Sequence, residues 1–144
     1  MDRDDVVISP YMPDPTEGLV EVSVGGRRLA LLPVPAGQVA TARVSEAHTV
    51  WFWAGSLLWT WNRIATRGVV ASCDIGDQIL DVVPRDSSSI VVAETAVKVV
   101  SEDLRTRETL LDHNEVLVRF QRRDKDLVVW DFQGNSVVLP GLFS

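Results

Sequence analysis

The chain has 144 residues, of which 46% are hydrophobic and 24% are charged, and this composition is typical of one globular domain and excludes wholesale disorder. Its formal net charge of −6 at pH 7 argues against nucleic-acid binding, because an acidic surface repels a phosphate backbone. Cys73 is the single cysteine, so no internal disulfide can form, and the lack of cysteine pairs favours a reducing compartment.

The N-terminal region, residues 1–18, contains Pro10, Pro13 and Pro15 and is predicted to be an extended arm, because proline fixes φ and removes a backbone donor. Residues 19–144 are predicted to form a single all-β domain. The acidic start does not resemble a signal peptide, and the longest apolar stretch is too short to span a bilayer. We therefore expect a cytoplasmic protein that does not contact a membrane.

The first hairpin is the clearest local pattern. Val20, Val22 and Val24 alternate with polar residues, and Gly25-Gly26 then supplies the positive φ angles that a tight turn requires. The same reasoning predicts further strands at 28–32, 39–44, 50–53, 57–61, 69–73, 79–83, 89–93, 96–100, 116–120, 127–132 and 136–139. The strands at 69–73 and 79–83 are expected to flank a turn at 74–77. Residues 101–111 fit either a helical turn or a strand–turn–strand.

Three segments repeat at the spacing of a supersecondary unit. They begin at Val50, Ile90 and Leu127, 40 and then 37 residues apart, and each consists of an apolar strand, a short turn and a second apolar strand. Residues 19–32 form a looser fourth copy. The repeat predicts an all-β fold of antiparallel hairpins in a meander, packed as a β-sandwich or a barrel-like domain.

The middle copy, continued to Leu110 through an acidic and polar turn, resembles the blades of WD-repeat and related β-propeller families, and the resemblance covers residues 48–140. It implies, as the alternative fold, a partial β-propeller that a partner or self-association completes. The Gly-His pair of that family is absent, and the one Trp-Asp pair, Trp130-Asp131, lies in the first strand of its copy. For that reason, no binding residues are transferred from the family.

Reactive groups are sparse in the sequence. His48 and His113 are the only candidates for a general base, and each lies among polar turn residues, which favours a solvated surface position. The stretches 112–115 and 74–77 collect oxygen donors, but their spacing is typical of turns rather than of metal loops. One turn is surrounded by basic residues, with Phe120 and Trp130 nearby: Arg119, Arg122, Arg123 and Lys125. Aspartates in the same stretch weaken any nucleic-acid site there and favour a solvated hairpin tip. We expect no catalytic residue, no metal and no cofactor.

The tryptophans are the candidate binding residues: Trp51, Trp53, Trp59, Trp61 and Trp130. A two-residue turn at 55–56 would place Trp59 and Trp61 on the face of Val50 and Phe52, and Trp51 and Trp53 on the other face. A three-residue turn would place all four on one face. Core packing is the favoured interpretation of this hairpin, and an interface or a stacked ligand is the alternative.

These observations predict a non-enzymatic protein–protein interaction or assembly module, whose partner is another protein or a second copy. A small inhibitor or immunity-type protein, with an acidic surface that blocks a basic toxin, is one form of this hypothesis. The alternative is binding of a small molecule or carbohydrate through the tryptophan hairpin between Trp51 and Trp61. An enzyme that uses His48 and His113 is the third possibility.

Overall fold

The computed structural model describes residues 6–10, 19–24, 26–34, 40–45, 49–62, 71–85 and 87–143, which contain fourteen strands and no helix. Sheet A contains β1 (Val6–Pro10), β2 (Leu19–Val24) and β3 (Arg27–Pro33). Sheet B contains β4 (Thr41–Val44), β5 (Thr49–Ala54), β6 (Leu57–Asn62) and β7 (Ala71–Asp74). Sheet C contains β8 (Ile79–Pro84), β9 (Ser88–Ala93), β10 (Ala96–Ser101) and β11 (Arg107–Asp112). Sheet D contains β12 (Leu117–Arg123), β13 (Asp126–Asp131) and β14 (Ser136–Leu139).

Each sheet is an antiparallel meander, since its strands are hydrogen-bonded to one another in chain order. The all-β prediction is therefore confirmed, and none of the four sheets closes on itself among the described residues. The repeated hairpins found in the sequence are β5–β6, β9–β10 and β13–β14, with β2–β3 as the fourth copy. Every copy supplies the second and third strands of its own sheet.

Turn residues fix the register of these hairpins. Ala54 pairs with Leu57, so the loop of the tryptophan hairpin consists of Gly55 and Ser56 alone, and Gly55 has a φ of 59°. Gly26 has a φ of 80° at the tip of the β2–β3 hairpin, as the sequence predicted. L-residues with a side chain rarely adopt positive φ, so glycine at these tips allows the strands to turn back directly.

The sheets pack face to face in the order A, B, C, D. Val22 of sheet A packs against Phe52 and Trp59 of sheet B. The opposite face of sheet B packs on sheet C, and the other face of sheet C packs on sheet D through Ile90 and Leu127. Sheets B and C are thus covered on both faces, which agrees with the completely buried pattern of β5. No core cluster among the described residues joins sheet A to sheet D.

Two local expectations changed, and one open alternative was decided. The arm predicted at residues 1–18 includes a strand, because β1 pairs along its whole length with β2. The strands around residues 74–77 do not form a hairpin: β7 is an outer strand of sheet B and β8 is an outer strand of sheet C. Residues 101–111 adopt the strand–turn–strand alternative.

Backbone hydrogen bonds tie each connection between sheets to the neighbouring hairpin turns. The amides of Ile75 and Ile79 donate to the carbonyls of Ser56 and Gly55, both at 2.8 Å. At the next turn, the amide of Glu94 donates to the carbonyl of Gln78 at 2.9 Å, and the amide of His113 donates to the carbonyl of Thr95 at 2.8 Å. The turns are therefore anchored to the connections at one end of the molecule.

Candidate functional site

Four of the five candidate tryptophans lie in the β5–β6 hairpin, and the two-residue turn divides them between its faces. Trp51 and Trp53 point into the core between sheets B and C, whereas Trp59 and Trp61 point into the core between sheets A and B. Trp51, Trp53 and Trp59 are 0%, 4% and 6% exposed, and Trp61 is half-buried. The division by strand parity is the one predicted for a two-residue turn.

Contacts around this hairpin are those of a packed core. The rings of Phe52 and Trp59 are stacked, with centroids 5.9 Å apart and planes inclined by 18°. The buried indole N–H groups of Trp51 and Trp61 have no acceptor among the described residues. A ligand could stack on Trp51, Trp53 or Trp59 only if two sheets separated, because both faces of sheet B are already covered.

Trp130 differs from the other four because it lies on the side of sheet D that faces away from sheet C. Leu127 and Val129 of β13 point into the core with sheet C, and alternation along the strand places Val128 and Trp130 on the opposite side. In the register of sheet D, Trp130 lies between Arg119 of β12 and Ser136 of β14. Trp130 is half-buried.

Two arginines cover the indole of Trp130. The guanidinium carbons of Arg119 and Arg123 lie 4.1 Å and 5.3 Å from the centroid of its ring, within the range of cation–π interaction. Both arginines are exposed. Their aliphatic stems shield an aromatic surface that no sheet of the described residues covers, while their charged groups stay in water.

We define the outer face of sheet D by the residues that strand alternation and register place on this side: Arg119, Gln121, Arg123, Asp126, Val128, Trp130, Ser136 and Val138. Val128 is buried in the middle of this face, between Gln121 and Val138 on the adjacent strands. Val138 is 54% exposed. The face therefore combines an aromatic and aliphatic centre with two cations, Arg119 and Arg123, and one carboxylate, Asp126.

Exposed apolar side chains continue beside this face. Phe132, directly after β13, is 78% exposed, and Val118, at a register shift in β12, is 56% exposed. The amide of Phe132 donates to the carbonyl of Val116 at 2.8 Å, and Val116 is also exposed. We call Val116, Val118 and Phe132 the apolar rim of sheet D.

A buried carboxylate holds the turn that presents Phe132. Oδ1 of Asp131 accepts hydrogen bonds from the amides of Gln133 and Asn135, both at 2.9 Å. Oδ2 lies 2.9 Å from Nε2 of His113. Because a carboxylate can only accept a hydrogen bond, Nε2 is the donor in this contact. The hydrogen bond from His113, followed by those from the two amides, lowers the pKa of Asp131 below its ordinary value despite burial.

His113 is consequently a positioned residue rather than the solvated one that the sequence suggested, since its ring is bound to a buried aspartate. The missing signal was spatial, because 18 residues separate the two partners. His48, the other candidate for a general base, lies outside the described residues. His113 with Asp131 links the connection before sheet D to the turn between β13 and β14.

The aspartates of residues 74–77 also accept hydrogen bonds from backbone and side-chain donors. Oδ2 of Asp77 accepts hydrogen bonds from the amide and the hydroxyl of Thr95, at 2.7 and 2.8 Å. Oδ1 of Asp74 accepts from the amide of Gly76 at 2.8 Å. Among the described residues, no three His, Cys, Asp or Glu side chains gather closely enough to hold a metal ion.

Comparisons with known proteins inform the fold only. The chain matches no protein family and no curated protein. It is similar in structure to the computationally designed Ika4 protein, with 17% identity and a TM-score of 0.62, over 95% of this chain and 86% of that one. It also matches a protein of unknown function from Bacteroides caccae, with 12% identity and a TM-score of 0.48, over 94% of this chain and 57% of that one. A third match is the computationally designed Ika8 protein, with 13% identity and a TM-score of 0.38, over 97% of this chain and 57% of that one.

The resemblance of residues 48–140 to WD-repeat blades stays a prediction. The described residues include no helix with the length and apolar character needed to cross a membrane. Sequence reasoning placed Arg119 and Arg123 around a turn near Trp130 but did not predict that they stack on its ring. The alternation of Arg119, Gln121 and Arg123 along one strand was the available signal, because period-two spacing places them on one face.

Proposed function

We propose that this chain is a non-enzymatic protein-interaction module that binds a protein partner through the outer face of sheet D and its apolar rim. The observation that carries the proposal is Trp130, which lies under Arg119 and Arg123 on a sheet face that no other sheet covers within the part of the chain that the structure describes. Sheet B, by contrast, buries Trp51, Trp53 and Trp59 completely or nearly so.

The chemistry of this face fits protein recognition. Tryptophan and arginine are enriched among residues that dominate binding energy at protein interfaces, and they act best at the centre of a patch from which water is excluded. Val138, Val118 and Phe132 supply exposed apolar area around that centre. The two guanidinium groups select a partner surface that offers carboxylates or carbonyl oxygens.

The alternative of carbohydrate binding through the tryptophan hairpin gains no support from the burial of Trp51, Trp53 and Trp59. We retain a cytoplasmic location as part of the proposal, because Cys73 is the single cysteine of the chain. We also retain the propeller-like arrangement of meanders, in which each sheet packs on the next along the chain, as a proposal about the architecture.

Site-specific photocrosslinking in cells that express the chain tests the function. The photoreactive residue p-benzoylphenylalanine replaces Val138 on the outer face of sheet D, and in the control it replaces Leu80, an exposed apolar residue of sheet C. We expect a discrete protein adduct from position 138, lost when Trp130→Ala is added, and no such adduct from position 80. Folded protein that gives no adduct at 138, or the same adduct at both positions, would overturn the proposal.

A further inference from the structure

Among the described residues, sheets A and D each have one face that no other sheet covers, and those two faces differ in chemistry. In sheet A, Ile8, Val20 and Val22 point toward sheet B. Alternation and register place the following residues on the other side, which we call the outer face of sheet A: Val7, Ser9, Glu21, Ser23, Arg28 and Leu31. The series of sheets in the described residues therefore has two chemically different outer faces, one on sheet A and one on sheet D.

The outer face of sheet A has a carboxylate at its centre with apolar neighbours, and the exposed Arg28 lies on the same face, opposite Ser23. Glu21 lies on β2, the central strand, between Ser9 on β1 and Leu31 on β3. The hydroxyl of Ser23 donates a hydrogen bond to Oε1 of Glu21 at 3.5 Å, which leaves the carboxylate with further acceptor capacity. Val7 and Leu31 are 55% and 37% exposed.

We propose that the partner of this chain is a second copy, in which the outer face of sheet D packs on the outer face of sheet A of the partner. This inference rests on the proposed function of the outer face of sheet D. Glu21 of one copy would meet the guanidinium groups of Arg119 and Arg123 of the other, a charge-assisted contact. Trp130 and Val138 would meet the apolar residues around Glu21.

A two-fold axis satisfies both faces at once. If sheet D of the first copy packs on sheet A of the second, the same operation packs sheet D of the second copy on sheet A of the first. The contact extends the packing that already joins A to B, B to C and C to D. Two copies with four sheets each then form a closed ring of eight sheets, a number within the range of about 4–8 for closed propellers.

Charge reversal on the two faces tests this arrangement. The D-face variant carries Arg119→Glu and Arg123→Glu, the A-face variant carries Glu21→Arg, and Arg105→Glu, in an exposed loop of sheet C, is the matched control. We expect the wild type and the control to sediment as dimers at twice the chain mass of 15.9 kDa. Each face variant alone should weaken dimerisation at least about thirty-fold while its circular dichroism stays unchanged.

Mixing the two face variants gives the decisive result. In a mixed pair, the reversed D face meets the reversed A face, and the two unchanged faces meet each other, so equimolar mixing should restore the dimer. A dimer that is insensitive to all the variants would overturn the proposal, because its interface would lie elsewhere. So would a wild type that stays monomeric up to millimolar concentration. If the photocrosslinked adduct from position 138 then contains a different protein, the proposed interaction function stands and the proposed self-association fails. If no adduct forms, both proposals fail.

Discussion

Sheets B and D contain the same kind of hairpin in two different environments. Both present an apolar strand with tryptophan, yet Trp51 lies in a dry core whereas Trp130 is covered by two arginines. The difference comes from position in the series of sheets, since sheet B has a neighbour on each side and sheet D has only sheet C among the described residues. The number of neighbouring sheets, rather than the strand sequence, therefore decides whether such a tryptophan is core or surface.

The strongest test of the difference between sheets B and D is to truncate one tryptophan in each. Trp51→Ala should lower the free energy of unfolding by about 3–5 kcal/mol, because it leaves a cavity between sheets B and C. Trp130→Ala should cost about 1 kcal/mol, since it removes a half-buried ring and two exposed cation–π contacts. Urea denaturation of both variants, at protein concentrations where the chain is monomeric, measures the difference, and equal losses would contradict the distinction.

A smaller effect is expected at the turn that follows Trp130. Gly134 has a φ of 87°, and a β-carbon built there would meet nothing within 4 Å. Gly134→Ala should therefore cost about 1–2 kcal/mol, from left-handed backbone strain alone. Ser136→Ala, at an exposed position two residues later, is the control. Thermal unfolding of both variants measures the cost, and an unchanged melting temperature for Gly134→Ala would argue against the turn geometry.

The ion pair between sheets B and C should contribute less. Nε and Nη2 of Arg43 donate to the carboxylate of Asp81 at 2.9 and 2.8 Å, but Arg43 is largely exposed. Arg43→Ala should therefore cost only about 0.2–1 kcal/mol, and molar salt should reduce that cost. A double-mutant cycle with Asp81→Ala isolates the pair. A coupling that is large and insensitive to salt would show that the pair is shielded from solvent.

The last effect appears only in acid. Because hydrogen bonds from His113, Asn135 and Gln133 lower the pKa of folded Asp131, its carboxylate stabilises the fold fully above the unfolded aspartate pKa of about 3.9. That contribution is lost as the pH falls through the lower pKa of the folded state. Asp131→Asn should therefore flatten the acid limb of a plot of melting temperature against pH. An unchanged acid limb would contradict this role. The acid limb of Asp74→Asn is the comparison, since a hydrogen bond from the amide of Gly76 lowers the pKa of Asp74 as well.

Local patterns in the sequence predicted most of the strands. The alternation at Val20, Val22 and Val24, the turn glycines and the spacing of the three hairpins all depend on neighbouring residues, and all agree with the structure. The strand β1 was missed because its pairing with β2 is a longer-range contact in a proline-rich context. The sequence did not show that β7 and β8 belong to different sheets. A turn within a sheet and a connection between two sheets are built from the same residue types, such as the aspartates and glycine of residues 74–77.

The candidate site could be predicted only in part. Trp130 was chosen for its residue type, and the two faces of the tryptophan hairpin followed from turn length. What the sequence could not provide was the order of packing, which leaves one face of sheet D open and encloses sheet B. The pairing of His113 with Asp131 was hidden for a related reason, since it depends on the connection before sheet D meeting a turn within it.

Because the core clusters of the described residues join only successive sheets, the chain has the energetic character of a linear array. In such an array, stability is a sum of unit terms and nearest-neighbour terms. In a single copy, whose sheets A and D are not joined, damage in sheet A should thus unfold the chain from that end and leave sheets C and D folded, so that amide exchange of the monomer would report a gradient of protection rather than one global opening.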